Sequence, residues 1–305
     1  MYLLIIIGMI AGMMVPIQTA VNNRLTLFTK AVLPASFYSF LTGSIILFII
    51  NLIVDPGKFS LAFLASQSYS YVWFAGGIMG VIFLTGNIIL LPRIGAALTV
   101  IATVTGQMLI GIFVDTFGWF DAEVKPLHVL HIVGVLLLIA GIIYMNVNKR
   151  TAVVKNYSRL WILLGLATGM LPPMQTAINS SLRYEVDSFI YAAFISFIVG
   201  TIVLLAMAIL INKGIKLTRT SGDSTLKSWH FAGGALGAAY IASNIMLMPY
   251  LGVTLTLMST ILGQIVMGLV IDHFGMFNLP KYPIDQRRVI AVLMIISGIA
   301  LLNFF

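Results

Sequence analysis

Two stretches of this chain put carboxamides inside what is otherwise an apolar helical pattern. The first reads Gly12-Met13-Met14-Val15-Pro16-Ile17-Gln18-Thr19-Ala20-Val21-Asn22. The second reads Gly169-Met170-Leu171-Pro172-Pro173-Met174-Gln175-Thr176-Ala177-Ile178-Asn179. Gln18 and Asn22 lie four positions apart, as do Gln175 and Asn179, so each pair shares one helix face. An amide donates and accepts hydrogen bonds without carrying charge, which suits it to recognising neutral or zwitterionic polar groups. Pro16 and Pro173 each remove a backbone donor and press on the carbonyl four residues earlier, that of Gly12 or Gly169. In lipid, groups freed this way persist only where protein or water satisfies them. A proline-bent helix carrying amides is therefore a candidate lining for a solute site. Its bland counterpart is hydrogen bonding between neighbouring helices, worth roughly 0.6 kcal/mol on average.

A second polar row runs Thr99, Thr103, Gln107, Gly111, Asp115, and recurs as Thr256, Thr260, Gln264, Gly268, Asp272. A row at steps of four drifts by about 40° per step, so its middle three positions share a face. Thr can bond its own helix backbone, which leaves Gln107 and Gln264 as the stronger candidates for lining a cavity. Asn87 lies within about 20° of Gly76 on the helical wheel, on the face of Gly76-x-x-x-Gly80. Asn244 repeats the arrangement with Gly233-x-x-x-Gly237. Small residues four apart let helix backbones approach, so these asparagines suit a packing hydrogen bond as well as a substrate contact. Asp115 and Asp272 fall at span ends, where an acid can gate or couple to protons or merely solvate a helix terminus.

The absences are equally informative. No Asp, Glu, Lys or Arg falls near the middle of any expected span, so no embedded carboxylate is on offer for exchanging protons against a cation. No G-x-x-x-x-G-K-[ST] loop is present, which excludes ATP-driven transport by this chain alone. His128 and His131 are three apart without ligand company, and His230 and His273 are isolated, so no metal site is expected. Zero cysteines exclude disulfides and thiol chemistry. No nucleophile–base arrangement supports an enzyme, and no cofactor is implied.

The elements that must position these residues are membrane helices. The chain is 60% hydrophobic and 9% charged, with mean hydropathy +1.06, whereas soluble domains carry roughly 25% charged residues. A spanning helix needs about 20 predominantly apolar residues. Ten segments qualify: 2–24, 33–54, 71–91, 94–114 and 127–147, then 159–182, 189–212, 229–249, 251–271 and 288–305. The first lacks a basic leader and a small-residue cleavage site, so it reads as an uncleaved span. Very short turns at Pro92-Arg93 and Pro249-Tyr250 predict tight antiparallel hairpins.

A shift of 157 positions superimposes the halves without a gap. Ser39-Phe40 and Gly43 return as Ser196-Phe197 and Gly200, and Gly141 as Gly298. This is a tandem duplication: residues 1–147 form a first five-helix repeat, 148–158 a polar linker, and 159–305 a second repeat. An odd number of spans per repeat forces the second to enter from the opposite side, so the repeats are inverted. The expected fold is an all-α integral membrane protein of ten transmembrane helices. On the side of the termini stand only Lys58, Lys125 and Arg183; the remaining fourteen of the seventeen Lys and Arg face the other way. The positive-inside rule then places both termini outside and the linker in the cytoplasm. The net charge of +8 reflects those loops rather than nucleic-acid binding, and loop 213–228 could also touch anionic lipid.

The combination P-x-Q-[ST]-A-x-N, S-F-x-x-G, G-G-x-x-G with a downstream Asn, and G-Q with a later Asp-x-Phe-Gly resembles the bacterial YdcZ-type proteins. That branch belongs to the drug/metabolite transporter superfamily and is related to the small multidrug resistance proteins. The resemblance covers both halves and matches the fused ten-span form. It implies a carrier of the bacterial plasma (inner) membrane working by alternating access. The small multidrug resistance proteins carry an essential glutamate in their first helix; here Gln18 and Gln175 occupy that helix, so cation–proton exchange does not transfer.

The expected function is secondary transport of a small polar organic solute. Its substrate-binding residues would be Gln18, Asn22, Gln107, Gln175, Asn179 and Gln264, with Asn87 and Asn244. Partners would be that solute and membrane lipids, with homo-oligomerisation left open. A passive pore or lipid-flipping protein, or a non-transporting membrane scaffold, are the alternatives. The topology is testable: a reporter fused at Phe305 that is active only outside the cytoplasm should be active, and a cytoplasmic reading would refute the orientation.

Overall fold

The computed structural model describes residues 2–117, 129–146, 158–222 and 224–304. Eleven α-helices occur among these residues. The first repeat holds α1 (Tyr2–Thr29), α2 (Val32–Val54), a short α3 (Leu61–Ser66), α4 (Val72–Ile94), α5 (Ala96–Phe117) and α6 (Val129–Asn146). The second holds α7 (Ser158–Gly169), α8 (Leu171–Val186), α9 (Phe189–Asn212), α10 (Ala232–Phe274) and α11 (Gln286–Phe304). Their ends have local causes. Ser188 caps α9 by accepting from the Tyr191 amide at 3.2 Å, and Lys213 ends that helix in the left-handed region at φ 57°. Gly95 at φ 81° separates α4 from α5, a conformation glycine adopts without steric cost.

The ten separate helices expected from the sequence are not found as such. Residue 170 divides the sixth expected span into α7 and α8, because Pro172 and Pro173 remove two consecutive donors. In the first repeat the single Pro16 is carried inside an unbroken α1. Conversely, helical backbone continues through Pro249, so the eighth and ninth expected spans form one element, α10. That element nevertheless reverses. Gly233 abuts Asn22, Gly237 abuts Gln18 and Leu247 reaches Gly8, whereas Ser259 is back at Gly8 and Thr260 at Gly12. Farther on, Ile271 clusters with Ala20. The two arms of α10 therefore pass α1 in opposite directions. Among the described residues seven helical stretches are long and apolar enough to cross a membrane, and Ala96–Gly111 and Ile132–Gly141 are shorter apolar ones.

The two repeats interlock by exchanging partners. α1 packs along α10, while its counterpart α7–α8 packs against α4 and α5; α2 meets α9, and α6 meets α11. The details repeat across the shift of 157. A Cβ on Gly12 would overlap the backbone of Thr260, and one on Gly169 the backbone of Thr103. Gly263 faces the backbone of Met9 and Gly106 that of Leu166 in the same way. Equivalent residues meet where the relation maps onto itself: the Ser44 and Thr201 hydroxyls are 2.9 Å apart, and the Phe40 and Phe197 rings 4.9 Å. Reciprocal contacts of this kind are what a two-fold relation between repeats produces.

Lipid gives helices no hydrophobic reason to associate, so close backbone approach at small residues must supply dispersion contact instead. Around these crossings sit one core cluster containing Phe37, Phe40, Trp73, Tyr191, Phe197 and Tyr240, and another containing Ile101, Val104, Ile261, Ile265 and Ile295. Gly12→Ala and Gly169→Ala should each destabilise the protein by about 1–3 kcal/mol, since backbone cannot step aside as a side chain can. Gly111→Ala, where nothing lies within 4 Å, should stay within about 0.5 kcal/mol. Thermal unfolding of the three purified variants checks the contrast.

Candidate functional site

All eight amides singled out in the sequence are buried; Gln18 is the most exposed of them at 8%. They divide into two groups by what they touch. Gln18 and Asn22 of α1 fit against Gly237 and Gly233 of α10, and Gln175 and Asn179 of α8 fit against Gly80 and Gly76 of α4. The glycines of the two G-x-x-x-G motifs thus make room for amide side chains. Asn22 Nδ2 donates to Ser39 Oγ at 3.0 Å. Its counterpart Asn179 Nδ2 donates to Ser196 Oγ at 3.4 Å, as does Gln175 Nε2. Both serines belong to the S-F-x-x-G motif, whose hydroxyls the sequence left without a role.

The second group is less satisfied. Neither Oε1 nor Nε2 of Gln107 or Gln264 has a hydrogen-bond partner, although the two side chains are only 0% and 1% exposed. Asn87 and Asn244 each leave Oδ1 unpaired, as do Asn22 and Asn179. Leaving one buried polar group without a partner costs about 1–3 kcal/mol. A buried amide so placed calls for a partner, which a water molecule or a bound polar solute can supply.

One of these glutamines opens onto a cavity. Its walls are Val15, Pro16 and Thr19 of α1, Asn87 and Leu91 of α4, Ala96, Thr99, Val100 and Thr103 of α5, and Gln264 of α10. It is narrow, with room for about one water molecule. Pro16 is therefore at the wall, and Asn87 from one repeat shares the space with Gln264 from the other. The threonines contribute less, because Thr99 and Thr103 donate to the carbonyls of Gly95 and Thr99 at 2.7 and 3.0 Å. No charged side chain lines the cavity. The arrangement can hold an uncharged group by hydrogen bonds. Among the described residues, no three His, Asp or Glu side chains converge as metal ligands would.

Asp272 is placed beside that cavity rather than in it. Its carboxylate is 2% exposed and accepts from the backbone amides of Ala96 at 2.8 Å and Ala97 at 3.2 Å, the first residues of α5. Those are orphan donors at a helix N-terminus, where negative charge is also favoured by the helix dipole. Arg288 Nη1 approaches Asp272 Oδ2 at 3.3 Å and donates to the Tyr282 carbonyl at 2.9 Å. The sequence treats Arg288 only as a topology charge; the signal available was that a buried Asp272 requires a counter-charge. The shift of 157 makes Asp115 and His131 the counterparts of Asp272 and Arg288. Those two side chains lie outside the described residues, as do His128, Pro173's upstream linker 148–157 and Phe305.

Comparison with known proteins adds the family. No curated protein matches the chain. Twenty chains of solved structure do. One, described as "Crystal structure of protein", is 14% identical with a TM-score of 0.61, covering 97% of this chain and 96% of that one. At that identity the likeness is one of fold alone. The sequence profile of the family described as "Putative inner membrane exporter, YdcZ" matches residues 3–144 and again 160–301. With both halves matched, the chain belongs to the YdcZ family of inner-membrane proteins related to the drug/metabolite transporters, in its two-repeat form.

Proposed function

We propose that this chain is a secondary carrier that moves a small, uncharged or zwitterionic polar solute across the plasma membrane by alternating access. The observation that carries this reading is the meeting of Asn87 and Gln264, one from each repeat, in a single cavity beside Pro16. Both keep amide atoms without partners. A site shared between repeats changes shape whenever one repeat rocks against the other, which is what exposure to alternating sides requires. Outward movement is the direction that the family's description suggests.

In this reading α7 and α8 together make one crossing, and the two arms of α10 make two. The chain then crosses ten times as two inverted repeats, 1–147 and 159–305, joined by a cytoplasmic linker and with both termini outside. Gln107 and Asn244 would form the related half-site of the other repeat. The preference for uncharged ligands follows from solvation. An ion entering a cavity without counter-charge loses several kcal/mol of hydration that amides only partly restore. Gln18, Asn22, Gln175 and Asn179 frame the site from the glycine notches. The bonds of Asn22, Gln175 and Asn179 to Ser39 and Ser196 give the scaffold reading its one specific support, but that reading leaves Gln107 and Gln264 unexplained.

Two measurements test the proposal. Neutral carboxamides and polyols should raise the thermal midpoint of the purified protein more than size-matched quaternary ammonium cations or carboxylates. Gln264→Leu and Asn87→Leu should each lower the affinity for the best such compound at least tenfold; equal stabilisation by the cations would overturn the charge preference. In proteoliposomes that compound should show saturation and counterflow. The double variant Gln18→Leu/Gln175→Leu should lose this flux while still inserting into membranes, and undiminished flux would remove both glutamines from the site.

A further inference from the structure

One side of the cavity borders a cluster of contacts whose parts come from both repeats. Ala96 lines the cavity, and its backbone amide is also the shorter of the two bonds to the Asp272 carboxylate, at 2.8 Å. Next to it, Ala20, Leu91, Ala96 and Ile271 form a small apolar plug, packed against Met267, Phe277 and Leu279. Beyond the plug lies the segment 275–285 that connects α10 to α11. Three bonds tie it down: the Tyr282 amide donates to the Asp272 carbonyl at 2.8 Å, the Ile284 amide to His273 Nδ1 at 3.1 Å, and Arg288 to the Tyr282 carbonyl at 2.9 Å. Gly95, where α4 turns into α5, sits against the same carboxylate: a Cβ there would be 3.3 Å from the Tyr282 ring and 3.4 Å from Asp272 Oδ2.

We propose that Asp272 is a latch between the repeats, holding the N-terminus of α5 against the end of α10 and so keeping the cavity closed toward segment 275–285. The residues beside the plug belong to three elements of two repeats, yet one carboxylate bonds all of them: the α5 amides, and Arg288 at the start of α11. Moving α5 away from α10 would strip two helix-start amides of their acceptor and the carboxylate of two donors together, while Arg288, in the same repeat as Asp272, would stay beside it. The amides and the carboxylate are bonded to each other only in the closed arrangement, so the latch makes closure a discrete state rather than a graded one. Without the charge, the side chain at position 272 holds the α5 amides and Arg288 only weakly, and the apolar plug carries most of the closure. This assignment stands apart from the identity of the solute: it concerns which contact must part for the cavity to open on this side.

The absence of native cysteine makes the test direct. A single reporter, Thr99→Cys, is placed in the cavity wall, where the native residue is 3% exposed. A second, Thr201→Cys, is placed between α2 and α9, where the native residue is 6% exposed. Each is labelled with a water-soluble maleimide in purified protein. Adding Asp272→Asn should speed labelling at position 99 at least tenfold, and adding Arg288→Gln instead should speed it about threefold, with position 201 staying within twofold in both. Equal acceleration at both positions would mean general loosening and would overturn the assignment, as would unchanged labelling at position 99 in both variants. Should Asp272→Asn fail to fold, Arg288→Gln, which keeps the carboxylate on the α5 amides, supplies the same comparison with a smaller expected gain of about threefold. None of these readouts needs a substrate, so their failure leaves the carrier reading untouched, and the loss of that reading leaves the latch to be judged by labelling.

Discussion

Close approach of backbone to backbone at Gly12 and Thr260, and again at Gly169 and Thr103, is the constraint on which the rest of this protein is built. Because lipid tails are as apolar as leucine, helices in a membrane gain from association mainly through tight packing and hydrogen bonds. A crossing that admits no Cβ maximises the first. It also fixes where everything else can go. Once α1 lies against the return arm of α10 at Gly12, the outgoing arm must present Gly237 and Gly233 to Gln18 and Asn22. The proline lies four residues after each glycine in the first stretch and at the same offset in the second, so the weakened backbone coincides with the tightest contact.

From that packing follows an uneven distribution of polarity. Gln18, Asn22, Gln175 and Asn179 sit in glycine notches of the opposite repeat, and Asn22, Gln175 and Asn179 also donate to Ser39 or Ser196 within their own. Gln107 and Gln264 lie one turn beyond the crossing residues Thr103 and Thr260, where no donor or acceptor reaches them. In a low-dielectric interior this is costly. A ligand that supplies both a donor and an acceptor recovers that cost at the moment of binding. Charge has been kept to the periphery, where Asp272 is neutralised by Arg288 and by the start of α5. Its field is thereby spent locally, and the cavity remains a place for hydrogen bonding without ion pairing.

The duplication explains how one chain provides both sides of such a site. The close glycine contacts between α1 and α10 have counterparts between α7–α8 and α4–α5, and the residues of the relation that map onto each other, Ser44 and Thr201, touch. The copies are nonetheless unequal. One proline is absorbed within α1 whereas two divide α7 from α8, and a glycine at φ 81° marks the turn between α4 and α5 whereas helical backbone runs on through Pro249. Equal packing with unequal hinges gives the two halves different freedom to bend.

Much of this was legible in the sequence because its causes are local or periodic. Apolar runs of spanning length, the shift of 157 and the pairing of Pro16 with Gln18 and Asn22 all follow from residue type and spacing. The same holds for the family, since its motifs are short and lie in both halves. What the sequence could not decide is which polar residue ends up with a partner. Gln175 and Gln107 look alike along the chain, yet one is received by a glycine notch of the opposite repeat and bonded to Ser196, and the other is left unpaired. Asp272 reads along the chain as an acid at a span end, fit to gate or couple or merely to be solvated, for the same reason: Ala96 and Ala97 precede it by 176 and 175 positions, and only the tertiary fold brings that helix start to the carboxylate.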